Sequence, residues 1–581
     1  MGCWLLVATS VLSVTISVHR GKSLEDMLNL LAITGLFLTA AIALRSGTWL
    51  RRVAVLEVIA AIPVAALGIF QHFRPDLMPA ANSYPGRALG PFGQPNRLGG
   101  YLVALIPVAI ALSFAIQDRW IRLALLASAF VLTLCLVATL SRGAWVGGAF
   151  GLLVLALLLL RWPELAPRPL VAAMALAALL LPALLLWPSV LSRITSKASP
   201  ETAWNLPIDP EREGSGSLRR AIWGGALAAF AARPVLGWGI GAFREAYDRS
   251  KSDALKRLEA EGGRTADQAH SYFLVTLAER GVLGLAAFLL FASLCVGAGL
   301  AGMGSGPVEG RLLVAGLLAS VAALVAHAAL FEDNLSFAPH GTLFFANLGL
   351  LAAAAPRTPA SGGRWARGAG VAGLLLAVLG VGLAGASAVA STEAHKGNLA
   401  LITGATNTAS ACYATATTAA PWSDELWAGR AQAALARGRD PFALREAETS
   451  YRKAIAVNGS DPVLRHQLAR LYLSNQQEFG AAGATAAVRE LHAALSQNPY
   501  YAEIRNDYGV ALLATGDRAG AMSQFRAASD SRRDFVDPLL NMATLELQDG
   551  NTAEASRLIA DALNRDPGSA RAAAMRAGLP G

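Results

Sequence analysis

The stretch IRLALLASAFVLTLCLVATLSRGAWVGGAFGLLVLALLLL, residues 121–160, holds two apolar runs broken only by SRG at 141–143. A helix of about 20 apolar residues matches the thickness of a bilayer's hydrocarbon core, so each run is long enough to span or nearly span it. Neither run shows the every-second-residue alternation of a membrane β-barrel. The segment therefore reads as two antiparallel membrane helices with Arg142 in the turn between them at the membrane surface.

Working outward, similar runs recur at roughly 4–18, 24–44, 53–71, 98–116, 170–189, 281–301, 311–331, 341–356 and 369–390. With the first two they make about eleven candidate spans. The 581 residues are 54% hydrophobic and 15% charged, a composition that excludes an ordinary soluble protein. The first run is short and has neither a basic leader nor a small-residue cleavage site. It reads as part of a membrane helix rather than a signal peptide, and its brevity carries the expectation of further helices upstream.

The net charge of +9 arises without a basic run interleaved with aromatics, which argues against nucleic acid. Arginines cluster instead in short loops, where they report topology and phosphate affinity. One set of loops, 45–52, 117–122, 161–169, 301–311 and 357–367, is compact and carries Arg in every member. By the positive-inside rule this set faces the cytoplasm. The alternating set, 19–23, 72–97, 141–143, 190–270 and 332–341, then faces the periplasm, and so does the C-terminal domain. The four cysteines, Cys3, Cys135, Cys295 and Cys412, suit neither a disulfide framework nor a zinc site.

Near residue 391 the apolar runs give way to a stretch rich in Arg, Glu, Gln and Ala. Two segments there repeat at an offset of 34 residues: Gly516 matches Gly550, Ala521 matches Ala555, Phe525 matches Ile559, and Ala528 matches Ala562. Weaker copies stand at Ala447–Tyr451–Ala454 and Ala487–Leu491–Ala494. Small residues at this period let paired helices approach closely, a pattern that resembles the tetratricopeptide repeat (TPR). The resemblance covers roughly 420–570 and implies a stack of helix pairs with a concave surface for a protein or peptide partner. The division read from the sequence is a membrane domain at 1–390 with its long loop at 190–270, a linker at 391–419, repeats at 420–570 and a tail at 571–581.

The chemistry-bearing residues lie on the periplasmic set of loops. Within the long loop, Leu218–Ala232 reads as an amphipathic helix whose apolar side (Ile222, Trp223, Leu227, Phe230) suits the membrane interface, with Arg219 and Arg220 at its start. His270 stands just before the next span. Guanidinium forks match phosphate oxygens, and an imidazole accepts protons near neutral pH. Each has a plain structural explanation by itself: headgroup contacts for the arginines, a polar helix entrance for the histidine, an inter-span cap for Glu332 and Asp333. Arg142, Arg219, Arg220 and His270 at one membrane face nevertheless form a site suited to a sugar carried on a lipid diphosphate.

Taken in order, GQPNRLGGYL (93–102), TLSRGAW (139–145), Arg219 with Trp223, RPVLGWGIGAF (233–243) and His270-Ser271 with Gly281 and Gly284 resemble the O-antigen ligase and O-antigen polymerase superfamily, which includes protein O-oligosaccharyltransferases. The resemblance spans roughly 50–390 and is most specific at the His270 motif and PVLGWG. It implies an all-α, GT-C-like bundle in the bacterial inner membrane, followed here by a periplasmic α-solenoid. It further implies an inverting glycosyltransferase needing neither metal nor cofactor, acting on an undecaprenyl-diphosphate-linked glycan. Carried onto this chain, Arg142 and Arg219 grip the diphosphate, with Arg220 as an adjoining cation. His270 activates the acceptor hydroxyl, and Asn96, Arg97, Ser271 and Asp333 support the site. The acceptor is a glycan, a lipid or a protein, which leaves ligase, polymerase and protein O-glycosylation open; the repeats tilt the reading toward a protein acceptor or partner. Two other classes compete. A flippase or exporter would carry polar residues near the midplane of its spans, where Glu57 and His327 are the main exceptions to apolar sequence. A repeat scaffold would need far fewer spans.

Overall fold

A computed structural model describes residues 2–44, 46–77, 84, 86–165, 216–253, 255–257, 266, 268–304, 306–330, 335, 338–356 and 364–579. Among them the regular elements are all helices. The membrane part comprises α1 (Gly2–Thr15), α2 (Arg20–Ala43), α3 (Gly47–Phe73), α4 (Pro95–Ala115), α5 (Arg119–Ala138), α6 (Arg142–Arg161), α7 (Gly216–Ala232), α8 (Phe243–Ser250), α9 (Tyr272–Met303), α10 (Val308–Leu330), α11 (Ala338–Ala353) and α12 (Arg364–Ile402). Eight of these are long and apolar enough to cross a membrane: α2, α3, α4, α5, α6, α9, α10 and α12. Two of the expected spans are shorter, α1 at 14 residues and α11 at 16. The expected span at 170–189 lies outside the described residues.

The centre of the bundle is α4, whose apolar window is 89% buried, packed against α10 and α5. Lipid offers apolar side chains no advantage over protein, so membrane helices associate where small residues let backbones close in. A Cβ added at Gly99 would lie 2.3 Å from Ala144 Cβ of α6, one at Gly316 would lie 2.6 Å from Ala111 of α4, and one at Gly151 would lie 2.6 Å from Ala323 of α10. These contacts lock α4, α6 and α10 into one block. A second block joins α2 to α11 and α12, and α1 lies along α9.

The helix ends sort as the arginine pattern anticipates. Arg311 donates to Glu164 at 2.7 Å, and a cavity of about 1090 Å³ is walled by Arg51, Gln117, Pro307 and Pro356. Members of the compact, Arg-bearing loop set thus meet at one end of the bundle. At the other end lie the starts of α2, α4, α6, α9 and α11.

The C-terminal part continues as α13 (Thr406–Ala419), α14 (Asp424–Arg437), α15 (Pro441–Val457), α16 (Pro462–Ser474), α17 (Gln476–Leu495), α18 (Ala502–Ala514), α19 (Arg518–Ser531), α20 (Asp537–Gln548), α21 (Thr552–Arg565) and α22 (Ala570–Ala577). Successive helices pack on one another as a solenoid does. The repeat positions Ala521, Phe525 and Ala528 and their partners Ala555, Ile559 and Ala562 are all fully buried. Gly516 and Gly550 close the equivalent turns with φ of 89° and 78°. The stretch 391–419, expected as a linker, is largely helical. α12 runs on to Ile402, and α13 packs Tyr413 against Gly429 of α14, with its hydroxyl donating to Asn398 at 2.6 Å.

Candidate active site

Two serines organise the first half of the site. Ser141 caps α6, accepting from the Ala144 amide, while its hydroxyl donates to Asn96 Oδ1 at 2.5 Å. This bond ties the starts of α4 and α6 together and sets Arg142, the first residue of α6, exposed at the rim. The residue before the cap, Leu140, has a φ of 50°. Arg87 holds that turn by donating from Nε to Thr139 O at 2.9 Å. Arg97 follows Asn96, and its carbonyl accepts from His340 Nε2 of α11 at 2.6 Å.

The second half also turns on a serine, used differently. Ser271 stands at the N-cap of α9, and its hydroxyl donates to Ala329 O at the end of α10 at 2.7 Å. The residue before it, His270, also has a φ of 50°. Trp223 of α7 donates its indole N–H to Ala269 O at 2.9 Å, which brings the first turns of α7 to the approach to His270. Arg219 precedes Trp223 by four residues and so lies along the same helix face. Arg220 is exposed. The two halves are joined through α10, since Gly147 of α6 packs against His327, two residues before Ala329.

The motif glycines have a specific backbone task. α9 breaks at Gly281, where φ is 61° and ψ −167°. Breaking a helix exposes amides and carbonyls that must find partners. The RPVLGWG turn supplies them: Val282 N–H donates to Pro234 O at 2.8 Å and Leu283 N–H to Val235 O at 3.3 Å. In return Trp238 N–H donates to Ala278 O at 3.0 Å and Gly239 N–H to Glu279 O at 2.9 Å. A Cβ at Gly281 would sit 2.3 Å from Val235 O. RPVLGWG and Gly281 are therefore two sides of one joint.

That joint corrects the expectation for the loop helix. α7 buries Ile222, Ala226 and Ala229 against Trp238, Phe243 and Tyr247, so much of its apolar side meets protein rather than the membrane interface. Leu227 remains exposed. The sequence reading missed α8, whose Tyr247 ring fits against Gly225 so closely that a Cβ there would lie 2.5 Å away.

Beside these elements is a cavity of about 650 Å³, walled by Lys22, Asp26, Arg97, Glu279, Trp422 and Asp424, with Gln268 and Val275 on either side of His270 along the chain. It lies between the membrane bundle, the loop and the first repeat helices. Glu279, buried and accepting from the Phe243 amide at 3.2 Å, fell outside the sequence reading because the apolar run was begun at 281. His19 and Glu245 were also missed. They pair at 3.0 Å, with His19 Nε2 3.9 Å from Asp424. Burial pushes the His19 imidazole down, but the Glu245 bond and the Glu245 and Asp424 charges outweigh it and hold it above the ordinary value. Burial pushes Glu245 up, and the His19 bond more than offsets it. The clustered charges of HRGKSLED (19–26) were the available signal. Among the predicted residues, Asn96 and Arg142 are neighbours through Ser141, and Trp223, one turn after Arg219, is bonded to Ala269 just before His270 and Ser271. Arg97 lies on the cavity wall, and Asp333 and Glu332 lie outside the described residues.

The described residues form a helical bundle with eight helices long and apolar enough to cross a membrane, followed by TPR-like helix pairs, and part of the chain is similar to O-antigen ligases. Residues 127–289, which hold Arg142, Arg219, RPVLGWG and His270, match the family model described as O-antigen ligase, and residues 512–579 match the tetratricopeptide repeat. A TPR repeat-containing protein of Pseudomonas aeruginosa is 36% identical over 116 residues, 20% of this chain and 44% of the relative, so the chain spans under half that relative's length. Among solved structures, pilF of Pseudomonas aeruginosa aligns at 18% identity over 32% of this chain and 81% of its own (TM-score 0.28). A thermophilic TPR protein of Thermus thermophilus aligns at 19% identity over 33% and 98% (TM-score 0.27).

Proposed function

We propose that this chain transfers a glycan from undecaprenyl diphosphate to an acceptor hydroxyl at the periplasmic face of the inner membrane, with the TPR domain on the same side. Arg142 and Arg219 grip the diphosphate, Arg220 adds charge, and His270 takes the proton of the acceptor hydroxyl. The acceptor oxygen attacks the anomeric carbon from the face opposite the leaving group, with inversion. The bond between that carbon and the phosphate oxygen breaks, and undecaprenyl diphosphate departs with its charge held by the guanidinium groups rather than by a metal. The observation that carries this reading is the paired turn: His270 and the residue before Ser141-Arg142 are both held left-handed, each one residue ahead of a serine at the start of a helix at one end of the bundle. Strained backbone of this kind persists where surrounding contacts enforce it, which is characteristic of catalytic sites.

Among the charged side chains in the spans, Asp26 and Glu279 line a cavity at the helix ends, and Glu57 of α3 is an exception within a span. That favours surface chemistry over export. The test is in cells, with His270→Ala, Arg142→Ala and Arg219→Ala. Lipid-linked precursor should accumulate on the periplasmic face while the finished glycan disappears. Accumulation on the cytoplasmic face would support an exporter, and normal glycan in all three would end the assignment. The product's attachment point separates ligase, polymerase and protein O-oligosaccharyltransferase, and a glycan missing its protein acceptor after deletion of the repeats would assign that partner to the TPR domain.

A further inference from the structure

We infer that the cavity between the bundle and the first repeat helices binds sugar units of the transferred glycan, so that the TPR domain supplies part of the substrate site. This rests on the transferase reading above. The repeat domain contributes Trp422, Asp424 and Asn458 to the wall, and the bundle contributes Lys22, Asp26, Arg97 and Glu279. The seam is tight. A Cβ on Gly21 of α2 would lie 2.3 Å from the Trp422 carbonyl, and Arg249 of α8 donates to Ser460 at 2.9 Å.

The wall mixes cationic groups such as Lys22, Arg97 and His19 with acidic ones such as Asp26, Asp424 and Glu425. A dense mixture of acceptors and donors beside an indole suits a polyhydroxylated ring, whose hydroxyls both donate and accept and whose C–H face packs on an aromatic. His19 and Glu245, side chains 10% and 5% exposed, add to this lining. The volume of about 650 Å³ lies in the range of small-molecule sites and holds a few sugar rings. Position assigns them to the donor. Arg97 on the wall adjoins Asn96, which is bonded to Ser141 beside Arg142, so sugars attached to a diphosphate at Arg142 lead into the cavity.

The test uses the full-length protein in detergent and the host's own lipid-linked oligosaccharide, released from its carrier by mild acid. Binding is followed by calorimetry, and transfer is measured with the intact donor. Trp422→Ala and Asp424→Asn should each weaken binding of the released glycan at least tenfold, while Trp422→Phe stays within threefold of wild type. His270→Ala should bind it normally yet transfer nothing. Wild-type failure to bind, or unchanged binding in both Trp422→Ala and Asp424→Asn, would overturn the sugar site. Should thermal melts show Trp422→Ala unfolded, Asp424→Asn decides alone. Binding of the released glycan with no transfer by the wild type would instead remove the transferase reading and leave the sugar site standing, and normal transfer by His270→Ala would remove only the role of that histidine.

Discussion

Leu140 and His270 share a left-handed φ of 50°, and each stands one residue before the serine that opens a helix, Ser141 for α6 and Ser271 for α9. A non-glycine residue in this region costs roughly 1–2 kcal/mol, so two copies at one end of the bundle are a notable reserve of strain. The geometry turns the chain sharply at the start of each helix, with Arg142 the first residue of α6 and His270 two residues before α9 begins.

The cost depends on side-chain shape, which gives a first prediction. Asparagine tolerates left-handed backbone, whereas a β-branched residue does not. Leu140→Asn should preserve transfer. Leu140→Val should lower thermal stability by about 1–2 kcal/mol and reduce transfer severalfold. Equal behaviour of the two variants in melting and transfer assays would show that the turn bears no strain.

On the proposed reading Trp223 positions His270 by holding the residue before it. Trp223→Phe keeps the ring but removes the donor to Ala269 O, a loss of about 1 kcal/mol. The histidine then samples more positions. Turnover should fall roughly tenfold with little change in KM for the donor. The double variant with His270→Ala should be no slower than His270→Ala alone, and an additive loss would place Trp223 outside this pathway.

The repeats and the spans were legible because each depends on a period: Phe525 and Ile559 are buried 34 residues apart, and the paired runs around SRG became α5 and α6. Arg142 and His270 stood out too, as arginine and histidine beside a span, and both lie next to helix starts. Glu279 and Glu245 were not. Their placement depends on contacts between segments about 40 residues apart, and no local period records that Gly281 breaks α9 so that RPVLGWG can fill the gap. The α7 helix was mistaken for an interfacial one for a related reason, because an apolar face reads the same whether lipid or Tyr247 covers it.

The Gly281 joint yields a prediction at atomic detail. Gly281→Ala places a Cβ 2.3 Å from Val235 O in a left-handed conformation, so the turn must shift or the break must close. The cost is at least about 2 kcal/mol. Hydrogen exchange should rise at the amides of Trp238, Gly239, Val282 and Leu283, which make the four bonds of the joint. Protection unchanged at all four would mean that the joint does not depend on the glycine.

The His19–Glu245 pair makes docking of the repeats pH-dependent, and its sign follows from the two shifts. His19 is held above the ordinary histidine value of 6.5, burial being outweighed by Glu245 and Asp424. Its contribution is therefore complete below 6.5 and is lost as pH rises through the raised value. Glu245 is held below the ordinary 4.5, burial being outweighed by His19, so its contribution is complete above 4.5 and fades as pH falls through the depressed value. The pair is thus at full strength between about pH 4.5 and 6.5 and weakens on the alkaline side first. Exchange at the amides of α14, which carries Asp424, should accelerate between pH 7 and 9 beyond the intrinsic base-catalysed increase. His19→Asn should remove that excess, because it retains a polar side chain but cannot titrate. A wild-type profile that parallels His19→Asn throughout would show that the histidine does not couple protonation to the seam.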